Sequence, residues 1–536
     1  MPLRLIVMRE MLWRARQERI STRMFMANLP PTTLRYGEKD SEIREYSISK
    51  EDVLIGRSEE CDINLDDKQT SRFHASLKIT PDGFWLTDMD STNGTLVDDK
   101  PIPPNRRVAI KSDQTFQVGS VVFSIQVEDT VESQKTLIQT KMPRFMYDVE
   151  ALRASEFSHI KDLVILNNAA TAPLPIRSQQ KMQEVFEQRI ATTRWHIGSY
   201  PLDIYFEYLT AAANLLNASV SEMAGVEGCS MGLNLFAQAL GGKPDDNIVF
   251  CDVEYPANVY PWMSLQRDGV EVKVIPAVDG GLTLESLQEA VNDKTRLVAV
   301  SAVQFFTGHH TELGSIGKFC RERNILFVVD AIQAVGHIPI DVQEMNIDVL
   351  VTGGHKSLMA IPGVGFMYVR EAVWKELQPR LMGSISVRDW SNYLNYNASP
   401  EESAQRFLIG TPNFTGQQAA VASMGLINEL TREAIDTHTT KLAALALKTA
   451  NENGYETVTN DHMHGSIATF KSKWSDDETG KYLLELEEEK GILMAKLVNR
   501  EGDPHIRMSF HCYNTEEDVQ RGFEALEKKP DPSSVS

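Results

Sequence analysis

The chain has 536 residues, 42% of them hydrophobic and 24% charged, with 54 Lys and Arg against 74 Asp and Glu for a net charge of −20. That length exceeds one ordinary core and points to two or three domains, and the negative balance argues against nucleic acid and anionic membranes as partners. No apolar run is long enough to span a bilayer, and the five cysteines, never spaced as CxxC, argue against a disulfide framework or a metal site and fit a reducing cytoplasm.

The segment Met1–Arg23 holds six arginines but also Glu10 and Glu18, and no apolar stretch with a cleavage site follows. It reads less as a transit peptide than as a disordered extension over 1–29, or as sequence upstream of a start at Met24 or Met26. Residues 30–128 read as an all-β sandwich, with strands at Val53–Ile55, His74–Ile79, Phe84–Thr87 and Val121–Val127 and a hairpin turn at Asp82-Gly83. A polar linker over 129–159 follows, carrying Thr130, Thr136 and Thr140. From 160 the pattern changes to apolar runs, Asn247–Cys251, Val272–Ile275, Arg296–Ser301, Ile325–Val329 and Asp348–Val351, alternating with helical segments such as Leu284–Val291 and Ser315–Arg323. Such alternation predicts an α/β fold, a mostly parallel sheet covered by helices on both faces, over 160–380. A smaller α+β domain is expected over 381–528, and a disordered tail over 529–536.

In the β-rich part, Gly56-Arg57, Ser71-Arg72-Phe73-His74 and Asp90-Ser91-Thr92-Asn93-Gly94-Thr95 place a guanidinium, a hydroxyl and a turn rich in donors where one phosphate could gather them. These pieces, in this order, resemble the forkhead-associated (FHA) domain. The resemblance implies that Arg57, Ser71, Arg72, Thr92 and Asn93 bind a phosphothreonine peptide, with His74 bracing the loop. The ligand would be another phosphoprotein or the chain's own phosphorylated linker.

In the α/β part, Asp330 ends an apolar strand, where ligands of open sheets bind. Gln333 follows it, and Lys356 closes the next strand through Thr352-Gly353-Gly354-His355. A carboxylate to hold a pyridine nitrogen and a lysine to form an imine are what pyridoxal phosphate (PLP) chemistry requires. Asp330-x-x-Gln333 and Gly354-His355-Lys356 resemble the class V aminotransferases, a family that includes cysteine desulfurases, isopenicillin N epimerases and kynureninases. The resemblance extends through Leu166–Thr171, Gly228-Cys229-Ser230, Glu254–Asn258, Gly410–Asn413 and Arg507–Ser509. It implies PLP as cofactor and Lys356 as the catalytic base. Cofactor contacts would come from Asp330, Gln333, His355, Tyr255, Cys229 and Ser230, and from Thr411 reaching into the partner of a homodimer. Substrate contacts would come from Arg507, Asn168 and Gln304, with the loop Thr307–His310 as a further candidate.

Two departures shape the expected activity. Position 353 is glycine where many relatives have a hydroxyl for the phosphate. No cysteine lies between Gly491 and Arg507, although a desulfurase needs a thiolate on a mobile loop. The expected activity is therefore epimerase, lyase or aminotransferase chemistry on a small amino acid, through an external aldimine. Cysteine desulfurase and a non-catalytic FHA adaptor on a degenerate dimeric scaffold are the alternatives.

Overall fold

The computed structural model describes residues 32–38, 44–48, 52–80, 83–98, 100–104, 107–110, 114–127, 147–191, 202–392 and 394–529. The expected N-terminal extension, Asp82, the linker threonines Thr130, Thr136 and Thr140, and the tail beyond Lys529 lie outside these residues. The chain divides into two units, 1–143 and 144–536.

The first unit contains strands β1 (Thr32–Glu38), β2 (Arg44–Ser47), β3 (Asp52–Gly56), β4 (Ile63–Asn64), β5 (Ala75–Thr80), β6 (Gly83–Asp88), β7 (Thr95–Val97), β8 (Lys100–Pro101), β9 (Arg107–Ile110), β10 (Thr115–Val118) and β11 (Val121–Val127). They form one sheet ordered β2-β1-β11-β10-β7-β8 and a second ordered β4-β3-β5-β6-β9. Every second side chain points inward. Val53, Ile55, Leu77, Ile79 and Leu86 from one sheet thus meet Leu34, Phe116, Val118, Phe123 and Ile125 from the other in a shared core. Phe116 and Phe123 face each other across β10 and β11 with ring centroids 4.8 Å apart. This is the expected sandwich.

The second unit begins with α1 (Val149–Glu156) and strand β12 (Val164–Ile165), followed by α2 (Ile176–Ala191) and α3 (Leu202–Leu216). Its main sheet comprises β13 (Met223–Val226), β14 (Asn247–Cys251), β15 (Glu271–Ile275), β16 (Thr295–Ser301), β17 (Leu326–Asp330), β18 (Val349–Gly353) and β19 (Gly365–Val369). The order is β13-β19-β18-β17-β16-β14-β15. β14 to β18 pair in parallel and β19 runs against both its neighbours. The apolar runs are continuous because both faces are buried. Along β16, Leu297 and Ala299 enter one core while Val298 and Val300 enter the other. Among the covering helices are α4 (Cys229–Leu240), α5 (Leu284–Ala290), α6 (Leu313–Glu322) and α7 (Phe414–Leu430).

A smaller layer follows, built from α8 (Arg432–Glu452), β20 (Ile467–Lys471), α9 (Asp476–Lys490), β21 (Ile492–Leu493), β22 (Ala495–Val498), β23 (Pro504–Ser509) and α10 (Glu516–Glu527). Its three-stranded sheet runs β20-β23-β22, and β12 pairs in parallel with β21. Two boundaries differ from the sequence reading. The linker expected to reach 159 already contains α1, held by an ion pair from Arg153 to Asp518 at 2.9 Å. The expected division at 380 also falls too early, because Phe414, Ala420, Met424 and Ile427 of α7 are buried in the large-sheet core with Tyr205, Tyr208 and Leu209 of α3.

Candidate functional sites

The chemistry-bearing residues of the second unit gather beyond the carboxyl ends of the parallel strands. β17 ends at Asp330, β18 leads through Gly354 and His355 to Lys356, β14 leads to Glu254 and Tyr255, and β16 leads to Gln304 and Phe305. The backbone on both sides of Lys356 is pinned. The His355 carbonyl accepts from Ala172 N–H at 3.0 Å, and the Ser357 carbonyl accepts from His511 Nε2–H at 3.1 Å. Burial pulls the Lys356 ammonium below its usual range, against the attraction of Asp330, and Arg507 pulls it further down. Asp330 is buried, which pushes its carboxyl up, and its Oδ1 accepts from the Cys229 thiol at 3.1 Å and from Ile332 N–H at 3.0 Å. Tyr255, 44% exposed, lies with its ring centroid 5.4 Å from Lys356 Nζ and 5.0 Å from the Phe305 ring.

Arg507 on β23 is buried among neutral acceptors. Nη1 donates to Phe305 O at 2.8 Å and Nη2 to Asn167 Oδ1 at 3.2 Å, while Nε has no partner among the described residues. Burial pushes its pKa down to about 10, with Tyr255 opposing. A buried guanidinium facing only neutral groups is matched by an anionic ligand.

At the start of α4 the first helical bond runs from Gly232 N–H to Gly228 O, which leaves the N–H groups of Cys229, Ser230 and Met231 for an anion. Ser230 is exposed there and Cys229 is buried. At position 353 an added Cβ would lie 2.9 Å from Ile332 Cδ1 and 3.5 Å from His355 Nδ1, so the glycine leaves room between these two side chains. Thr352 is fully buried with its hydroxyl 3.4 Å from Gly353 O, and does not replace the missing hydroxyl.

Some expected residues are engaged elsewhere. Asn168 is buried, with its amide nitrogen on Ile165 O, Ser509 O and Asn514 Oδ1 and its oxygen taken by Tyr513 OH, so its neighbour Asn167 is the one that reaches Arg507. Gln304 donates to Glu254 at 2.6 Å, within a buried cluster in which Glu254 also accepts from Ser301 and Asn258. Thr307 and His309 turn away to Gly280 O and Asp279 O. Gln333 donates to Ala169 O at 2.9 Å, and Thr411 is exposed on the segment entering α7. Asn167, Phe305 and His511 were missed in the sequence. An asparagine beside another asparagine, a backbone carbonyl and a histidine far along the chain give no local signal.

This set fits PLP. A lysine with a depressed pKa stands beside a carboxylate whose Oδ2 accepts no hydrogen bond among the described residues, near an open helix N-terminus and an arginine without a carboxylate partner. All five cysteines of the chain are buried. No metal cluster and no helix long and apolar enough to cross a membrane occur among the described residues.

In the first unit, Gly56 lets two loops touch, since a Cβ there would lie 2.3 Å from Arg72 O. Arg57 N–H and Ser58 N–H bond Ser71 O and Arg72 O across that contact. His74 is fully buried. Its Nδ1 accepts from Ser71 N–H at 3.0 Å, which places the ring proton on Nε2, donating to Gly94 O at 3.1 Å. Ser71 Oγ accepts from Thr92 N–H at 3.0 Å, and Asn93 donates to Gln69 O at 2.7 Å. Gly94 has φ +77°, which a side chain would strain. Arg57, Arg72, Thr92 and Asn93 are exposed on the loops so joined.

Comparison with known proteins finds the family described as Aminotransferase class-V over residues 164–521 and the FHA domain over residues 53–119. A probable cysteine desulfurase of Methanothermobacter thermautotrophicus is 29% identical over 389 residues, 69% of this chain and 95% of that protein. An uncharacterized aminotransferase, YcbU of Bacillus subtilis, is 29% identical over 318 residues, 59% of this chain and 81% of that protein. Among solved structures, an apo cysteine desulfurase from Thermococcus onnurineus NA1 superposes with a TM-score of 0.64 at 25% identity, covering 72% of this chain and 98% of that one.

Proposed function

The chain belongs to the class V aminotransferase family of PLP-dependent enzymes and carries an FHA domain, and from that premise we propose that it transforms a small amino acid at its α-carbon without a protein thiolate. The observation that carries this reading is the convergence of Lys356, Asp330 and Arg507, in a chain whose cysteines are all buried. When bound, PLP supplies an electron sink for a carbanion at the substrate's α-carbon. Asp330 would keep the proton on the ring nitrogen, and Tyr255, beside Lys356, would cover the ring. The N–H groups at the start of α4, with Ser230 and His355, would hold the phosphate, and Gln333, its amide nitrogen tied to Ala169 O, would offer its oxygen to the ring side. Arg507, steadied by Asn167 and Phe305 O, binds the substrate carboxylate. Lys356 Nζ, disposed toward its neutral form by burial, takes the α-proton and returns it. Thr411 completes the phosphate site of a second copy, which makes the enzyme a homodimer. Arg57, Ser71, Arg72, Thr92 and Asn93 bind phosphothreonine, which directs the enzyme to a phosphoprotein.

A panel of amino acids added to the PLP-loaded protein tests the chemistry. Spectral change followed by an epimer, an oxo acid or an eliminated product supports it, whereas alanine and sulfide released from cysteine faster than any other turnover would establish a desulfurase. For the first unit, a phosphothreonine peptide is expected to bind where its unphosphorylated form does not, and equal binding of the two would remove that part of the proposal.

A further inference from the structure

Asp330 is held asymmetrically. Its Oδ1 takes both described donors, Ile332 N–H from the next turn and the Cys229 thiol from the first residue of α4, and Oδ2 takes none. Cys229 is buried and has a second acceptor within reach, Val351 O at 3.4 Å, but the carboxylate oxygen at 3.1 Å is the nearer one. Burial, followed by the nearby Asp330, pushes the Cys229 thiol well up, so the sulfur keeps its proton and remains a donor. The family resemblance made Cys229 a direct cofactor contact, yet its side chain faces Asp330.

We propose that Cys229 is a positioning residue for Asp330: its S–H anchors Oδ1, turns Oδ2 toward the pyridine nitrogen of PLP and weakens the carboxylate's hold on the proton of that nitrogen. The proposal rests on the cofactor reading above. Each donor to a carboxylate stabilises the anion and makes it a poorer base. A thiol is a weak donor, a hydroxyl a stronger one and a methyl group none. Side-chain identity at 229 therefore grades how firmly the ring nitrogen stays protonated, and a more positive ring makes the lysine-bound nitrogen of the cofactor more acidic. The other groups facing Lys356 (Arg507, Tyr255 and His355) are the same across such a series.

The test is a pH titration of the visible absorption band in the full-length PLP-loaded wild type, Cys229→Ala and Cys229→Ser, with thermal unfolding of each recorded alongside. The midpoint is expected to fall by about half a unit or more in Cys229→Ala and to stay at or above wild type in Cys229→Ser. Equal midpoints in all three proteins, a rise in Cys229→Ala, or a Cys229→Ser midpoint that follows Cys229→Ala would overturn the proposal. Absence of any visible band in the wild type with added PLP would instead overturn the cofactor reading on which it rests.

Discussion

Among the described residues, Arg507 carries a buried charge met by two neutral oxygens, Phe305 O and Asn167 Oδ1. A charge-assisted pair of bonds to a substrate carboxylate contributes enough that Arg507→Ala should weaken amino-acid binding about 10- to 100-fold. Arg507→Lys should recover little, since a single ammonium does not reproduce the planar fork. Spectral titration with an accepted amino acid reads both variants, and unchanged affinity in Arg507→Ala would remove Arg507 from the substrate site. His511 makes a different statement. From the segment just after β23 it donates to Ser357 O in the Lys356 loop and accepts from its neighbour Cys512 N–H, and burial pushes its pKa down to about 4 from 6.5. The folded state keeps this ring neutral between those values while the unfolded chain takes up a proton. Stability is therefore full above pH 6.5 and falls as pH drops toward 4, by up to about 3 kcal/mol from this group. His337, packed against it with ring centroids 4.1 Å apart, is shifted in the same direction. Urea midpoints of the second unit at pH 7 and pH 5 should differ more in wild type than in His511→Gln. Equal differences would show that the pH dependence lies elsewhere.

At the scale of elements, the apolar runs of the main sheet were legible because burial on both faces leaves no polar alternation. Ile325–Val329 and Asp348–Val351 appear as Leu326–Asp330 and Val349–Gly353, shifted by one or two residues. The rule that ligands sit beyond strand carboxyl ends, together with the family spacing, singled out Asp330 and Lys356, and the fold puts them at the end of β17 and just past the end of β18. What was not readable depends on tertiary partners. The eight residues of α1 have an ordinary cap at Asp148, but their place is set by Asp518, far along the chain. Likewise α7 belongs with the large sheet because of what it packs on, which composition does not reveal. Asn167 and Asn168 differ only in the direction their side chains take at the end of β12, and one is consumed internally while the other meets Arg507. Packing also sets how close α4 lies to the site. A Cβ at Gly232 would stand 2.5 Å from Val351 Cγ1, so a larger residue must push the helix off β18. Gly232→Val should destabilise the second unit by about 1–3 kcal/mol and weaken PLP retention, read by unfolding midpoint and by dialysis of the cofactor. An unchanged midpoint would show that the helix moves freely.

Across the whole molecule, two separately cored units carry the two recognition chemistries proposed above, one for a phosphate on a peptide and one for an amino acid. Shared sites between copies are expected to make the protein dimeric, with sedimentation equilibrium giving twice the chain's mass. A stable monomer that binds PLP and turns over would contradict the role given to Thr411. The acidic balance of the chain sets neither chemistry; each rests on a few residues brought together by loops at strand ends. The claim on which the rest depends is that Lys356 is the residue to which the cofactor attaches. Borohydride reduction of the PLP-loaded protein, followed by proteolysis and mass measurement, tests it most directly. The account predicts a single reduced pyridoxyl adduct on Lys356, with bleaching of the visible band and no adduct in Lys356→Ala. No adduct in the wild type, or an adduct on another lysine, would contradict it.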